Sequence, residues 1–305
     1  MKKILSLALV LCMLCGAVAM LSACGAPEAE DKDVVKVVNI KLTEEEYAFA
    51  VQKGNTALLN QLNDFMKEIK ANGKFDEIVN KYFGDGTPTA VKSAATRKTD
   101  GSQLIVATNA AFEPFEYMNG ENYYGLDLEI MALFAEKIGK ELYIDNMEFD
   151  AVCLSVSAVG GTYTDENGKD VAVKGGVCDV AAAGLTVSDV RKKTLDFSDS
   201  YYDASQMLVV AADDTTFDDC KTAEDVEKIL KGFDKSTKVG VQNATTGQKY
   251  CEGDADWEFD GFAFDTTGYN TGALAVQNIL NGNVKFVIID EGPAKAIVSR
   301  VNAAN

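Results

Sequence analysis

The chain has 305 residues, 47% of them hydrophobic and 25% charged, an ordinary globular composition with enough apolar side chain for one or two buried cores. Against 29 Lys and Arg stand 47 Asp and Glu, a formal charge of −18, and a field of that sign repels phosphate backbones, which excludes nucleic acid as a partner. The sequence contains no histidine. Ser-His-Asp and Cys-His catalysis are thereby excluded together with the commonest zinc ligand, and any enzyme built on this chain would work through carboxylates, Lys, Tyr or Cys.

The N-terminus carries Lys2 and Lys3, an uncharged apolar stretch from Ile4 to Met20, and then Leu21, Ser22, Ala23 and Cys24. A basic start, an apolar middle and small residues at the exit describe a secretory signal. Leu-Ser-Ala-Cys is similar to a bacterial lipobox, which implies cleavage before Cys24 and acylation of its thiol, leaving the protein anchored to the membrane outside the cytoplasm. A plain transmembrane anchor is the alternative, since Ile4 to Ala23 approaches the ~20 residues that span a bilayer. Residues 1–23 are assigned to the signal peptide and 24–33, small and acidic, to a solvated tether. Once Cys24 is lipidated, Cys153, Cys178, Cys220 and Cys251 remain, an even count that permits two disulfides outside the cytoplasm. Cys153 with Cys178 is the preferred pair because both sit in one strand-helix-strand unit; buried free thiols are the alternative.

The fold is expected to begin near Val34. Val34 to Leu42 reads as a strand, and Thr56 to Asn72 as a helix with Leu58, Leu59, Leu62, Phe65, Met66 and Ile69 on one face. A short helix from Phe75 to Phe83 follows. Residues 85–101 hold Gly, Pro, Thr, Ser and alternating charges without an apolar period, which marks a linker. Strand and helix then alternate. LIVAT from Leu104 is a strand, Gly125 to Gly139 an amphipathic helix, ELYIDNM a strand, and Phe149 to Ser157 a helix. The strands VCDVAAAG from Val177, QMLVVAA from Gln206, KVGVQ from Lys238, FDGFAF from Phe259 and VKFVII from Val284 come next, with a helix at Thr271 to Leu280. Such alternation predicts parallel sheets covered by helices. GTYTDENGKDVAVKG, between Gly160 and Gly176, reads as a surface insertion whose turn is centred on Glu166, Asn167 and Gly168.

The segments LIVATNAAFEPFEY, GLDLEIMALFAEKIGKEL, MEFDAVCLSV, DVAAAGLTVSDVRKKTLDFSDSYYDASQMLVV, KVGVQNATTGQKY and VKFVIIDEGPAKAIV resemble the family 3 extracellular solute-binding proteins. That resemblance implies an α/β chain of the type II periplasmic-binding-protein fold, two lobes with mainly parallel sheets and a two-segment hinge. LTEEEYAFAVQKGNTALLNQLNDFMKEIKANGKFDEIVNKYFG looks like the stretch that closes such proteins at their C-terminus, yet here it comes first. A circular permutation accounts for this, with 85–101 joining the usual ends; a truncated tandem duplication is the alternative, although no segment occurs twice. On this reading lobe one comprises 34–84, 102–204 and 290–305, lobe two comprises 205–289, and the hinge runs near 205–208 and 288–290.

The resemblance also implies a ligand site. Arg191, five residues after Thr186, matches the arginine whose planar fork binds a ligand carboxylate, Thr186 adds its hydroxyl and amide, and Ala183 and Gly184 line the same turn, with the Gly184 carbonyl toward an ammonium. Thr245 and Thr246 face them from lobe two at a helix start, where a simple cap is the alternative. Phe112 and Phe149 match aromatic walls, while Phe115 and Tyr117 are assigned to packing. Asn109 stands where some relatives have Asp. The acid that usually binds the ammonium is expected near the start of the helix at Thr271, but Ala273 and Leu274 occupy that place; Asp265 as a substitute, or a ligand without an ammonium, are the alternatives. The implied function is hinge-closing capture of an amino acid or related carboxylate by a monomer that delivers it to the permease of an ABC importer, without metal or other cofactor. An enzyme on the same scaffold, dehydratase-like and using Glu113, Glu116 or Asp150, and a sensory or adhesive module are the alternatives.

Overall fold

The computed structural model describes residues 33–165, 167–254 and 259–305; the signal segment, Cys24 and the tether as far as Lys32 lie outside the described residues. The first strand, β1 (Val35–Val38), is followed by an extended crossing at 39–44 and two short strands, β2 (Glu45–Tyr47) and β3 (Ala50–Gln52). Helices α1 (Thr56–Ala71) and α2 (Lys74–Phe83) come next. Asn55 starts α1 by accepting the amide of Leu58 at 3.3 Å, an ordinary N-cap. Leu62, Phe65, Met66 and Ile69 on its apolar face are buried, and Leu58 and Leu59 pack at the edge of the same core.

Residues 85–101, which run from α2 to β4, are fastened along the fold. Val91 bridges Tyr123, Ala94 donates to the Leu142 carbonyl at 2.8 Å, Ser93 Oγ accepts the amide of Ile144 at 2.9 Å, and Arg97 pairs with Asp145 at 2.5 Å. The segment thus covers an edge that would otherwise expose unpaired backbone groups. It leads into β4 (Gln103–Thr108), β5 (Ala111–Phe112), β6 (Glu116–Asn119), β7 (Asn122–Tyr124), α3 (Leu126–Lys137), β8 (Glu141–Asn146) and α4 (Phe149–Val156). The insertion forms a hairpin of β9 (Thr162–Thr164) and β10 (Asp170–Ala172), its turn held by Asp165 Oδ1 accepting from Asn167 and Lys169; Glu166 lies outside the described residues. β11 (Val180–Ala181), α5 (Asp189–Lys192), β12 (Leu195–Phe197) and β13 (Tyr202–Ala204) complete this lobe. Its sheet runs β12-β3-β11-β4-β8, with β11, β4 and β8 parallel and β3 antiparallel to β11. All six residues of β4 are buried, as a central strand covered on both faces requires. Tyr47, Phe115 and Phe134 are wholly buried in the larger of its two cores, and each such side chain contributes roughly 2–3 kcal/mol by leaving water.

The second lobe contains β14 (Gln206–Ala211), α6 (Ala223–Leu230), β15 (Lys238–Gln242), α7 (Thr246–Glu252), β16 (Asp265–Tyr269), α8 (Gly272–Leu280), β17 (Phe286–Asp290) and α9 (Glu291–Ala303). The run FDGFAF does not form the strand; β16 begins one residue after it. The sheet order is β1-β14-β17-β15-β16. Two of the expected boundaries are corrected by this pairing. β1 lies antiparallel to β14, Val35 beside Ala211 and Val38 beside Leu208, and α9 packs its Ala294 and Ile297 into a core with Val35, Val209 and Ala275. Residues 34–42 and 290–305, expected in lobe one, therefore belong with 205–289, because their apolar faces are buried against that sheet. Residues 45–204 form lobe one without interruption. Asn302 ties the two ends of the fold together: its Oδ1 accepts the amides of Val34 and Val35 at 3.0 and 3.1 Å.

The hinge moves accordingly. One crossing is at Ser205, as expected; the other is 39–44 rather than 288–290. The two run side by side, since β2 pairs with β13 below them as β1 pairs with β14 above. Between the pairs, Leu42 donates to the Gln206 carbonyl at 3.0 Å and Gln206 to Thr43 Oγ1 at 2.9 Å. The cysteine expectation is also corrected: Cys153, Cys178, Cys220 and Cys251 are all unbridged, with Cys178 and Cys251 buried, and these thiols fill core space as small apolar side chains.

Candidate functional site

The carboxyl ends of the parallel strands in both lobes face each other, which is where open α/β sheets place ligands. Thr108 and Asn109 end β4, the turn from Ala183 to Thr186 follows β11, Gln242 ends β15 and Asp290 ends β17. Side-chain hydrogen bonds cross directly from lobe to lobe here. Thr246 Oγ1 donates to Thr186 Oγ1 at 3.0 Å, Gln242 Nε2 to Asn109 Oδ1 at 3.2 Å, Tyr47 Oη to Asp290 Oδ1 at 2.5 Å and Gln206 Nε2 to Glu45 Oε1 at 3.0 Å.

Arg191 lies across the mouth of this cleft. Ser188 caps α5 and accepts the Arg191 amide at 3.3 Å, so the short helix aims the side chain back at Thr186, whose carbonyl accepts from Nη1 at 2.8 Å. Nη2 reaches the carbonyl of Ala244 in lobe two at 3.5 Å, and the guanidinium stacks over Phe149, 5.6 Å from the ring centroid, a cation–π contact that fixes its plane. Ala244 itself has φ +58°, a left-handed conformation rare outside glycine and common at ligand-binding turns.

Thr186, Gly184, Phe112 and Asn109 line the lobe-one side. Gly184 has φ +52°, and a Cβ there would stand 2.8 Å from the Phe112 ring, so the aromatic wall and the glycine require each other. Its amide donates to Asp127 Oδ2 at 3.0 Å. Ala183 is packed in the core with Val152 and Leu185 and presents backbone alone. In lobe two, Thr245 is the cap of α7: its hydroxyl accepts from Gln248 and donates to the Gln242 carbonyl at 2.8 Å. Thr246 is the threonine whose hydroxyl faces lobe one. Asp265 does not reach the cleft. It is exposed, pairs beside Lys238 at the opposite edge of the sheet, and lies roughly 13 Å before Gln242 at ~3.3 Å per strand residue.

A different acid, Asp290, stands buried at the cleft. Its carboxylate is 4% exposed and accepts from Tyr47 and, at 2.9 Å, from Gln206 Nε2. Burial, then the neighbouring Glu45 charge, push it up to about 7. Glu45 completes the group, accepting from Thr43, Gln206 and Thr186. Gly247 makes room for Gln206, because a Cβ there would meet its Oε1 at 2.8 Å. Behind Gly184 lies a second buried acid pair. Burial pushes Asp127 up to about 7; burial, then the charges of Asp127 and Asp290, push Glu116 well above the usual carboxylate range. Glu113 sits outside the cleft, paired with Arg300 at 2.5 Å. Asp150, half-buried, stands at the mouth with Thr164 and Asp165 of the hairpin, facing Asn243, Ala244 and Asn270 around a cavity of ≈ 470 Å³.

Sequence reasoning missed Asp290, Glu45, Gln206 and Gln242. A signal for Asp290 was present: it is the charge that ends an otherwise apolar strand, and that end is where the ligand edge lies.

Residues 13–85, 104–159 and 163–293 match the sequence profile of the bacterial extracellular solute-binding proteins, family 3. The chain is similar to the arginine-binding extracellular protein ArtP of Bacillus subtilis (strain 168), 32% identical over 126 residues, 41% of this chain and 43% of ArtP. It is also similar to a probable histidine-binding protein of Neisseria gonorrhoeae, 26% identical over 156 residues, 51% of this chain and 48% of that one. It spans about half the length of these relatives. A solved structure of an ancestral arginine-binding protein bound to glutamine superposes with a TM-score of 0.51 at 26% identity, over 67% of this chain and 76% of that chain. The two-lobed arrangement is that of the type II periplasmic-binding-protein fold.

Proposed function

The chain belongs to the bacterial extracellular solute-binding proteins, family 3, and on that premise we propose that it captures an α-amino acid between its lobes and delivers it to an ABC importer. The observation that carries this reading is the pairing of opposite charges in one cleft: the Arg191 guanidinium at one end and the buried Asp290 carboxylate at the other, linked through Thr186, Glu45 and Gln206. A zwitterion leaves water at tolerable cost when each charged end meets a hydrogen-bonding partner of opposite sign. Ligand docks on lobe one at Arg191 and Thr186, and lobe two closes over it with Thr246 and Asp290. Closure is favoured by contacts that exist in the closed form alone. A permease reads that closed form, and the lipobox-like segment at Cys24 holds the protein at the outer face of the membrane as a monomer. The names of the relatives, arginine- and histidine-binding, support an amino acid as ligand. The dehydratase-like alternative has less support, because Glu113 is held by Arg300 outside the cleft and Glu116, at the start of β6, is wholly buried.

Thermal unfolding against the twenty amino acids tests the proposal. At a hundredfold excess over Kd a bound ligand adds about 2.7 kcal/mol, a rise of several degrees, and Arg191→Ala is expected to remove it. If none of the twenty raises the midpoint, the reading fails.

The order of segments is read as a circular permutation. It is supported by the Asn302 contacts that bring 34 and 302 together and by the passage of 85–101 from α2 to β4. A gene that joins residue 304 to 34 through a short Gly-Ser loop and opens the chain near residue 87 is therefore expected to fold and bind with affinity within about threefold of the parent, since surface junctions of this kind are tolerated. Loss of cooperative unfolding in that variant would count against the permutation.

A further inference from the structure

We propose that the ligand is an amino acid with an uncharged side chain that ends in an N–H or O–H donor, a carboxamide or a hydroxyl, and that Gln242 and Asn109 read it. This rests on the amino-acid reading above and narrows it. Asn109 is anchored by its Nδ2 donating to the Met147 carbonyl at 2.8 Å. Its Oδ1 must therefore point into the cleft, where Gln242 Nε2 donates to it from the other lobe at 3.2 Å. That bond in turn fixes the Gln242 amide, leaving its Oε1 as the outward acceptor. This oxygen is buried and has no partner in the protein, as is the hydroxyl of Thr108 one residue before Asn109. A buried acceptor left unpaired is costly, and most such atoms are filled by ligand or water.

The partners of this amide pair are a backbone carbonyl and each other, with Thr245 donating to the Gln242 backbone; among the described residues no charged side chain hydrogen-bonds to the pair. Of the buried carboxyls beside the cleft, Glu45, Asp290 and Asp127 are engaged by Thr43, Thr186, Tyr47, Gln206, Tyr201 and the Gly184 amide, and Glu116, wholly buried, lies against Asp127. A guanidinium or ammonium placed against the two amides would be buried without a counter-charge, which disfavours it. An aliphatic side chain of the same length would leave Gln242 Oε1 unpaired, and a site built around such a bond rejects the analogue that lacks the donor.

Isothermal titration of the protein with glutamine, asparagine, serine, threonine, leucine, methionine, arginine, lysine and histidine tests this, alongside Gln242→Leu and Asn109→Asp. The expected result is tightest binding by one of the first four. Gln242→Leu should weaken that ligand by roughly 10–100-fold while leaving leucine unchanged or improved, and Asn109→Asp should shift preference toward arginine and lysine. Tightest binding of arginine, lysine or histidine by the parent overturns the inference, as does equal loss of all ligands in Gln242→Leu when the variant unfolds at the parent's midpoint. Binding of no amino acid overturns the parent reading as well, and so is distinguishable from a wrong preference.

Discussion

Asp290→Asn is expected to cost about 2–5 kcal/mol of affinity for an α-amino acid, the usual loss when one member of a buried charge pair is removed. The variant is conservative in shape, since an asparagine Oδ1 can accept from both Tyr47 and Gln206, the two donors that hold the aspartate. The lost quantity is then the charge that faces the ligand ammonium. Two controls isolate it. An amine-free analogue of the same ligand should bind parent and variant within about threefold, because it makes no ammonium contact. Affinity of the parent should also fall as pH drops from 8 to 5.5, since burial and Glu45 raise Asp290 to about 7 and its protonated form cannot pair with an ammonium. In Asp290→Asn that slope should largely vanish. Calorimetric titration in buffers of different ionisation heat would show proton release on binding near pH 6. Equal affinity of parent and variant for amino acids would remove Asp290 from the site.

The alternation of strand and helix and the placing of Arg191 beside Thr186 were legible because they rest on local pattern. β4 is an apolar run, β8 alternates apolar and polar residues, α1 has a clear 3.6 period, and the five-residue spacing of Thr186 and Arg191 spans one short capped helix. What was not legible depends on partners far apart in the chain. β1 pairs with a strand some 170 positions away, and nothing within Val34 to Leu42 says which sheet it joins. The crossing at 39–44 followed from that pairing and was missed with it. The linker lacks an apolar period because it fastens itself through alternate backbone amides, a serine hydroxyl and Arg97 rather than through a packed face. Thr245 and Thr246 look alike in sequence; only the cap geometry separates the one spent on α7 from the one facing the cleft. Asp290 stands at the end of VKFVII, inside the stretch where the resemblance places the hinge.

Lowering the pH from 8 to 5.5 is expected to raise the thermal stability of the ligand-free protein. Asp127 is wholly buried, and burial lifts it to about 7 despite the donors Tyr201 and Gly184. In the unfolded chain the same carboxyl titrates near ~3.9. The folded form therefore binds the proton more tightly. The stabilisation is fully present below about 4 and is lost as pH rises through about 7, at about 1.4 kcal/mol per pH unit between those values. Asp127 alone thus removes roughly 2 kcal/mol between pH 5.5 and 8. Asp290, raised by burial and by Glu45, and Glu116, raised by burial and by Asp127 and Asp290, act in the same direction, and together the shift in midpoint is on the order of 5–10 °C. The window is clean, because the sequence has no histidine and the surface acids held low by their partners, such as Asp196 beside Lys53 and Gly54, are already ionised throughout it. Asp127→Asn keeps a partner for Gly184 and for Tyr201 while removing the ionisable group, so its midpoint should vary less steeply with pH and exceed the parent's at pH 8. Saturating ligand should oppose the parent's trend, since an ammonium on Asp290 favours the ionised form. Differential scanning calorimetry at four pH values decides the matter: a parent midpoint that is flat or rises with pH across this window would mean that these buried carboxyls are ionised in the folded state and solvated by groups or water that the packing around Tyr201 and Tyr47 does not suggest.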